Sequence, residues 1–193
     1  MTVEIDDCEI LSKFQNGSTR KEAFNNLLKK YQQKVYWHVR RMVINHNDAD
    51  DLVQDVFIKV WKALPGFRQD ARLYTWLYRI ATNECITFLN KKKQRNNISI
   101  DEVDAELSGS LTAASYFYGD KAALKLQQAI LTLPDKQRLV FNMKYYDDLK
   151  YDEMSEILGT STGALKASFH LALKKIQTFY SKMINNQISN ILL

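Results

Sequence analysis

The stretch D48-A-D-D-L-V-Q-D-V-F-I-K-V-W61 decides how this chain folds. Leu52, Val53, Val56, Phe57, Val60 and Trp61, continued by Leu64, recur at three- and four-residue spacing, which gathers them into one broad apolar stripe on a helix. Asp51, Gln54, Asp55, Ile58 and Lys62 fall on the other side. Charged and amide groups there are what a solvated face carries. Ile58 is the exception, since an apolar side chain among outward carboxylates points to contact with another molecule. Asn47 or Asp48 is the expected N-cap, with acids in the first turn where the helix dipole favours them. Pro65-Gly66 stops the helix near Leu64.

Working outward, residues 20–46 repeat Phe24, Leu27, Leu28, Tyr31, Val35, Val39 and Met42 at helical spacing. After a polar loop over 67–73, a third helix is expected over 74–92. Its inward candidates are Trp76, Leu77, Ile80, Ala81 or Cys85, Ile86 and Leu89. Residues 96–120 hold acids, Ser, Gly and Asn with little periodicity and read as a linker; Tyr116, Phe117 and Tyr118 are its apolar exception. Helix resumes at about Lys121. Leu133-Pro134-Asp135 opens another helix, with Pro at its first position. Residues 152–158, the turn Gly159-Thr160 and a long helix from Ser161 follow, with Leu165, Phe169, Ala172, Leu173 and Ile176 expected inward. The six glycines and two prolines are sparse punctuation, which favours long helices. The fold class expected is all-α, two small helical domains joined by a flexible linker. The domains span 20–95 and 121–178, with an extension over 1–19 and a helical tail over 179–193.

Net charge is +5, but its distribution says more. Residues 18–47 carry seven bases and one acid, residues 66–95 seven bases and two acids, and residues 96–120 five acids and no base. Segregated positive charge of this kind suits a polyanionic partner. Cys8 and Cys85 form no CxxC pattern, and Cys85 reads as a small buried hydrophobe. With His38, His46 and His170 isolated from one another, no metal site or cofactor is expected. No phosphate-cradling glycine loop, HExxH or nucleophile–base constellation is present, so an enzyme is not expected. The acidic N-terminus lacks a basic segment leading into an apolar core, and no apolar run approaches membrane length, so the expected location is cytoplasmic, without membrane insertion.

D48 to W61 resembles region 2.2 of the extracytoplasmic-function sigma factors of bacterial RNA polymerase, members of the sigma-70 family. The next segment, F67-R-Q-D-A-R-L-Y-T-W-L-Y-R-I-A-T-N83, resembles regions 2.3 and 2.4 of that family. The likeness runs through about thirty-five contiguous residues and is far more specific than a short motif. It implies that Asp51, Gln54, Asp55 and Phe57, with Ile58 and Trp61 beside them, meet the clamp-helix coiled coil of the polymerase β′ subunit. Acids on such a face complement a basic partner.

In this family a base of the −10 element is flipped from the melted nontemplate strand. Flipping costs a few kcal/mol of unstacking, which stacking and phosphate contacts must offset. Phe67 and Tyr74 offer π faces, Arg68, Arg72 and Arg79 suit phosphates, and Asp70 and Asn83 suit base edges. Arg79 and Asn83 lie at i, i+4 on one helix face.

Residues 133–176 resemble region 4, which reads the −35 element through a helix-turn-helix. The outward residues of its second helix would be Ser161, Thr162, Gly163, Lys166, Ala167, His170 and Lys174, with small groups admitting close approach to the major groove. Ser168, Leu171 and Leu173 stand where the family often carries a base, and Lys150 where a Ser cap is common. Both departures imply a −35 contact weaker or more apolar than is usual in the family. The resemblance implies core polymerase (β′ clamp helices and β flap), promoter DNA and an anti-sigma factor as partners. The competing reading is a helix-turn-helix regulator that acts without core polymerase; it leaves the Asp51/Ile58 and Arg79/Asn83 surfaces without a role.

Overall fold

The computed structural model describes residues 6–96 and 121–191, without the side chains of residues 93, 95, 96, 121 and 186–191. The linker, its aromatic triplet and the side chain of Ile188 lie outside the described residues. Among those described, every regular element is helical and there is no strand. The chain divides into two compact units, Met1–Asn90 and Lys91–Leu193.

The first unit is built on α1 (Asp7–Gln15), α2 (Arg20–Val43), α3 (His46–Ala63) and α4 (Leu73–Asn96). Helix α1 lies in the stretch expected only as an extension. Ile10, Leu11 and Phe14 recur on one of its faces and are buried against α2, so the chain bottoms out its core with this helix. The Phe14 ring meets Trp61 edge-on at 5.3 Å and Phe24 at 6.3 Å, and the Arg20 guanidinium lies 4.6 Å over Phe14 and 4.8 Å over Trp61. A second tie joins the polar ends. The Tyr31 hydroxyl donates to Asp7 Oδ1 at 2.7 Å, and Lys30 Nζ sits 2.8 Å from the same carboxylate.

Between α2 and α3 the chain turns at Ile44, whose φ of 64° is unusual for a β-branched residue while its side chain stays buried. That turn moves the helix start upstream of the expected position. Asn45, rather than Asn47 or Asp48, is the N-cap of α3, and its Oδ1 accepts from the N–H groups of Asn47 at 2.9 Å and Asp48 at 3.2 Å. Leu52, Val53, Val56, Phe57, Val60 and Leu64 are buried, as the stripe predicts. Helix α4 is fastened to α2 by polar groups inside the core. His38 Nε2 and Thr82 Oγ1 are hydrogen-bonded at 2.9 Å, and the Tyr78 hydroxyl donates to the Lys34 carbonyl. Tyr78, outside the inward positions that the sequence predicts for this helix, is buried, and its ring lies 4.7 Å from His38. Ile86, expected inward, is instead 39% exposed, because the α4 register turns it away from the line of Leu77, Ala81, Cys85 and Leu89. Burial pushes the Cys85 thiol up to about 12, so it is a core hydrophobe with no thiolate to offer.

The second unit packs α5 (Lys121–Leu131), α6 (Asp135–Tyr145) and α7 (Tyr151–Leu158) against α8 (Thr162–Ile191). Its centre is Ala129, Ile130, Leu133, Phe141, Ala172 and Ile176, with Phe169, Phe179 and Tyr180 packed on the edge. The first residues of the expected tail therefore extend the last helix and help close this core. Pro134 is the N-cap of α6 rather than its first helical residue, its carbonyl accepting from Arg138 N–H at 2.9 Å. Leu173, expected inward, is 38% exposed, since at roughly 100° per residue it falls to the side of the Leu165–Ala172–Ile176 line.

Candidate protein and nucleic-acid interfaces

Three surfaces emerge from these helices. The first is the outer side of α3. Asp51, Gln54, Asp55 and Ile58 are all exposed, Ile58 to 51%, and their spacing puts them along one side of the helix. Neither Asp51 nor Asp55 forms an ion pair among the described residues. Two carboxylates and an apolar side chain thus face outward together. Phe57 and Trp61 do not join them. Phe57 is buried and Trp61 is half-buried in the aromatic cluster with Phe14 and Phe24. Their register belongs to the inward stripe, so they support the outer face from behind. A groove of about 450 Å³ between α2 and α3 borders this surface, lined in part by Gln32, Gln33, Tyr36, Asp50 and Gln54.

The second surface surrounds the turn into α4. A short 3-10 turn, Leu64–Gly66, delivers Phe67, whose ring rests 4.9 Å from Trp76. Arg68 Nε pairs with Asp70 Oδ2 at 3.2 Å on an open loop where Gln69 takes a φ of 62°. Arg79 and Asn83 are exposed and share one side of α4 by register, and Arg72 is exposed at the residue just before the helix. Tyr74 does not face with them. It is half-buried, 4.3 Å from Tyr78 and 6.2 Å from Tyr31, so it takes part in an aromatic run that leads back into the core. The loop and α4 thus bring together one ring, three guanidinium groups and two short polar side chains, the groups that hold an unstacked strand. Lys91 continues the positive side at the end of the helix.

The third surface is the turn between α7 and α8. Gly159 closes α7 at φ 62°, ψ 29°, a conformation glycine adopts without steric cost. Ser161 caps α8, its Oγ accepting from Ala164 N–H at 3.4 Å. Lys150 has no side-chain acceptor, so only half of a capping box forms at α7, with Glu153 Oε2 accepting from the Lys150 N–H at 2.9 Å. Met154, Ile157 and Leu165 are buried and set the angle between the two helices. This leaves Ser161, Gly163, Lys166, Ala167, His170 and Lys174 exposed and Thr162 half-exposed on the outer side of α8. Ser168 is half-buried and Leu171 is 48% exposed, so the flank of this helix is neutral at positions where the family often carries a base. One residue absent from the sequence reading also stands here. Tyr151, fifteen positions before Lys166, has the Lys166 ammonium 5.7 Å from its ring centroid. Nothing local in the sequence signals a contact across that distance along the chain. Among the described residues, no group of three or more His, Cys, Asp or Glu is placed to hold a metal ion, and no helix is long and apolar enough to cross a membrane.

Comparison with known proteins agrees with this layout. Residues 27–95 match the family model for sigma-70 region 2, and residues 123–176 match that for sigma-70 region 4. The chain is 35% identical to the ECF RNA polymerase sigma factor SigW of Bacillus subtilis over 77% of its length and 84% of the relative's. It is 31% identical to the ECF RNA polymerase sigma-E factor of Escherichia coli over 95% of its length and 99% of the relative's. Among solved structures, CnrH in complex with the cytosolic domain of CnrY shares the fold, with a TM-score of 0.66 and 21% identity over 90% of this chain and 96% of that one. So does the sigma factor RpoE in complex with the anti-sigma factor NepR from Bartonella quintana, with a TM-score of 0.64 and 20% identity over 82% of this chain and 96% of that one.

Proposed function

The chain belongs to the ECF RNA polymerase sigma factors of the sigma-70 family, and from that premise we propose how its surfaces divide the work of promoter-specific initiation. The outer side of α3 docks on the β′ clamp helices of core polymerase. Asp51 and Asp55 supply charge complementary to a basic coiled coil, and Ile58 supplies the apolar contact that an ordinary solvated face lacks. The exposed, unpaired carboxylates around Ile58 are the observation that carries this reading.

The loop after Leu64 and the outer side of α4 then take the −10 element. Phe67 gives a stacking face, Arg68, Arg72 and Arg79 meet phosphates, and Asp70 and Asn83 read base edges. Melting follows because an unstacked base recovers its stacking energy on protein groups. Tyr74 supports that pocket through its packing on Tyr78. The first turns of α8 enter the major groove at the −35 element, where Gly163 and Ala167 permit close approach and Lys166 reaches guanine or phosphate. The second unit also meets the β flap. Catalysis stays with the polymerase, so the chain acts as a non-enzymatic initiation factor in the cytoplasm. An anti-sigma protein is the expected regulator, in keeping with the complex that the structural relative RpoE forms with the anti-sigma factor NepR.

The test is run-off transcription with core polymerase on fragments of the host genome, comparing wild type with Asp55→Arg. Reversing an exposed charge at a charged contact should lower affinity about tenfold or more, and run-off product should fall in step at limiting factor. Full product from the reversed variant would remove the docking assignment. Binding to duplex DNA that needs no polymerase would favour a stand-alone regulator.

A further inference from the structure

Tyr151 is the first residue of α7, half-buried, and it does not belong to the outer side of α8 that the −35 reading uses. Two ammonium groups lie over its ring, Lys166 Nζ from α8 at 5.7 Å and Lys144 Nζ from α6 at 5.8 Å. Both are within the range at which an aromatic face attracts a cation. The two lysines are otherwise unlike. Lys144 is held independently, donating to the Leu149 carbonyl at 3.1 Å and standing 3.5 Å from Asp148 Oδ1. Lys166 is exposed, and the ring is the partner the structure gives it.

A free lysine on a recognition helix is a flexible four-carbon stem, and ordering it at the groove consumes binding energy. A ring already holding its ammonium removes part of that cost. The tyrosine face also leaves the N–H donors of the ammonium available, because a π contact uses charge and no lone pair. We infer that Tyr151 is a positioning residue for −35 recognition: it holds the Lys166 side chain in the orientation that meets DNA. This rests on the proposed reading of α8. It assigns specificity-supporting work to a residue on the other helix of the motif.

The experiment is a double-mutant cycle in the full chain with core polymerase, on the strongest run-off template, paired with NMR of the free protein. Lys166→Ala should weaken promoter binding and lower its salt dependence by about one ion. Tyr151→Leu should weaken binding about two- to five-fold, the worth of an exposed cation–π contact. Tyr151→Phe should restore it, because the ring remains. In the Lys166→Ala background, Tyr151→Leu should cost nothing more. In the NMR arm, the Lys166 ε-methylene should resonate upfield of the other lysines and return to their range in Tyr151→Leu. Equal cost of Tyr151→Leu with and without Lys166, or an unshifted ε-methylene in the wild type, overturns the inference while leaving the −35 assignment in place. No effect of Lys166→Ala removes Lys166 from DNA recognition, and the positioning role falls with it. Absence of any run-off template would instead overturn the functional reading itself. If Tyr151→Leu proves too unstable to assay, Tyr151→Met takes its place in both arms, since its flexible apolar side chain fills the same space without a ring to attract the ammonium.

Discussion

Replacing Phe14 by Ala tests whether α1 is part of the first unit or a dispensable leader. The Phe14 ring is 3% exposed and touches Phe24, Trp61 and the Arg20 guanidinium. Truncating a buried Phe to Ala costs about 3–5 kcal/mol through lost transfer energy and the cavity left behind. The aromatic pairs add about 0.5–1.5 kcal/mol beyond area, and the cation–π contact about 0.5–1 kcal/mol. These do not simply sum, because the apolar anchors of α1 are just Ile10, Leu11 and Phe14, beside the Asp7 ties to Tyr31 and Lys30. Once its docking energy is exceeded, the helix releases and the remaining helices persist, which limits the loss. We therefore expect about 3 kcal/mol, the low end of the range for a buried Phe. The assay is selective by construction. All three tryptophans, Trp37, Trp61 and Trp76, lie in the first unit, so tryptophan fluorescence against urea follows that unit alone. With a slope of about 1–3 kcal/mol/M, the midpoint should fall by about 1–3 M. A shift below about 0.3 M at unchanged slope would refute the buttress, for no buried phenylalanine in a packed core is that cheap to remove.

Three further predictions follow the same logic. Gly159→Ala meets no atom within 4 Å, so its cost is backbone alone, about 1–2 kcal/mol for an L-residue at φ 62°; a lowered melting temperature of the second unit by circular dichroism checks it, and Gly159→Asn should lose less. Under native conditions a disulfide thiol reagent should label Cys8, which is exposed, and leave Cys85 untouched until the first unit opens. Because burial raises the Cys85 pKa from 9.0 to about 12, its neutral thiol stabilises the fold fully below pH about 9, and that share is lost as pH climbs towards 12. Tryptophan-detected stability should therefore fall less steeply across that window in Cys85→Val than in wild type.

The readable parts of the chain were those where local chemistry and tertiary packing agree. Gly159 and Ser161 mark the helix-turn-helix, since one supplies the left-handed turn and the other the cap, and both act as those residue types should. The α3 stripe was legible for the same reason. Helix α1 was not, because nine residues with acids at one end form no stable helix alone; it exists because Phe24 and Trp61 complete its face. Ile86 and Leu173 show the reverse failure, apolar side chains that period counting draws inward and register leaves in solvent. The proposed docking face was half visible. Asp51, Gln54, Asp55 and Ile58 stand out on the surface as their spacing predicts, whereas Phe57 and Trp61 are held inside by the same period that first exposed the stripe. Tyr151 could not be seen at all, for its partners come from two other helices.

Helix α8 runs from Thr162 to Ile191 with no glycine or proline after Gly163. Thirty residues at 1.5 Å each make a rod of roughly 45 Å without a joint. Its first turns carry the residues proposed to meet the groove, its middle seals the core, and its far turns run on beyond Phe179 and Tyr180. A hand that gripped the far turns would therefore tilt the Thr162 end as surely as a spanner turns the bolt at its other end.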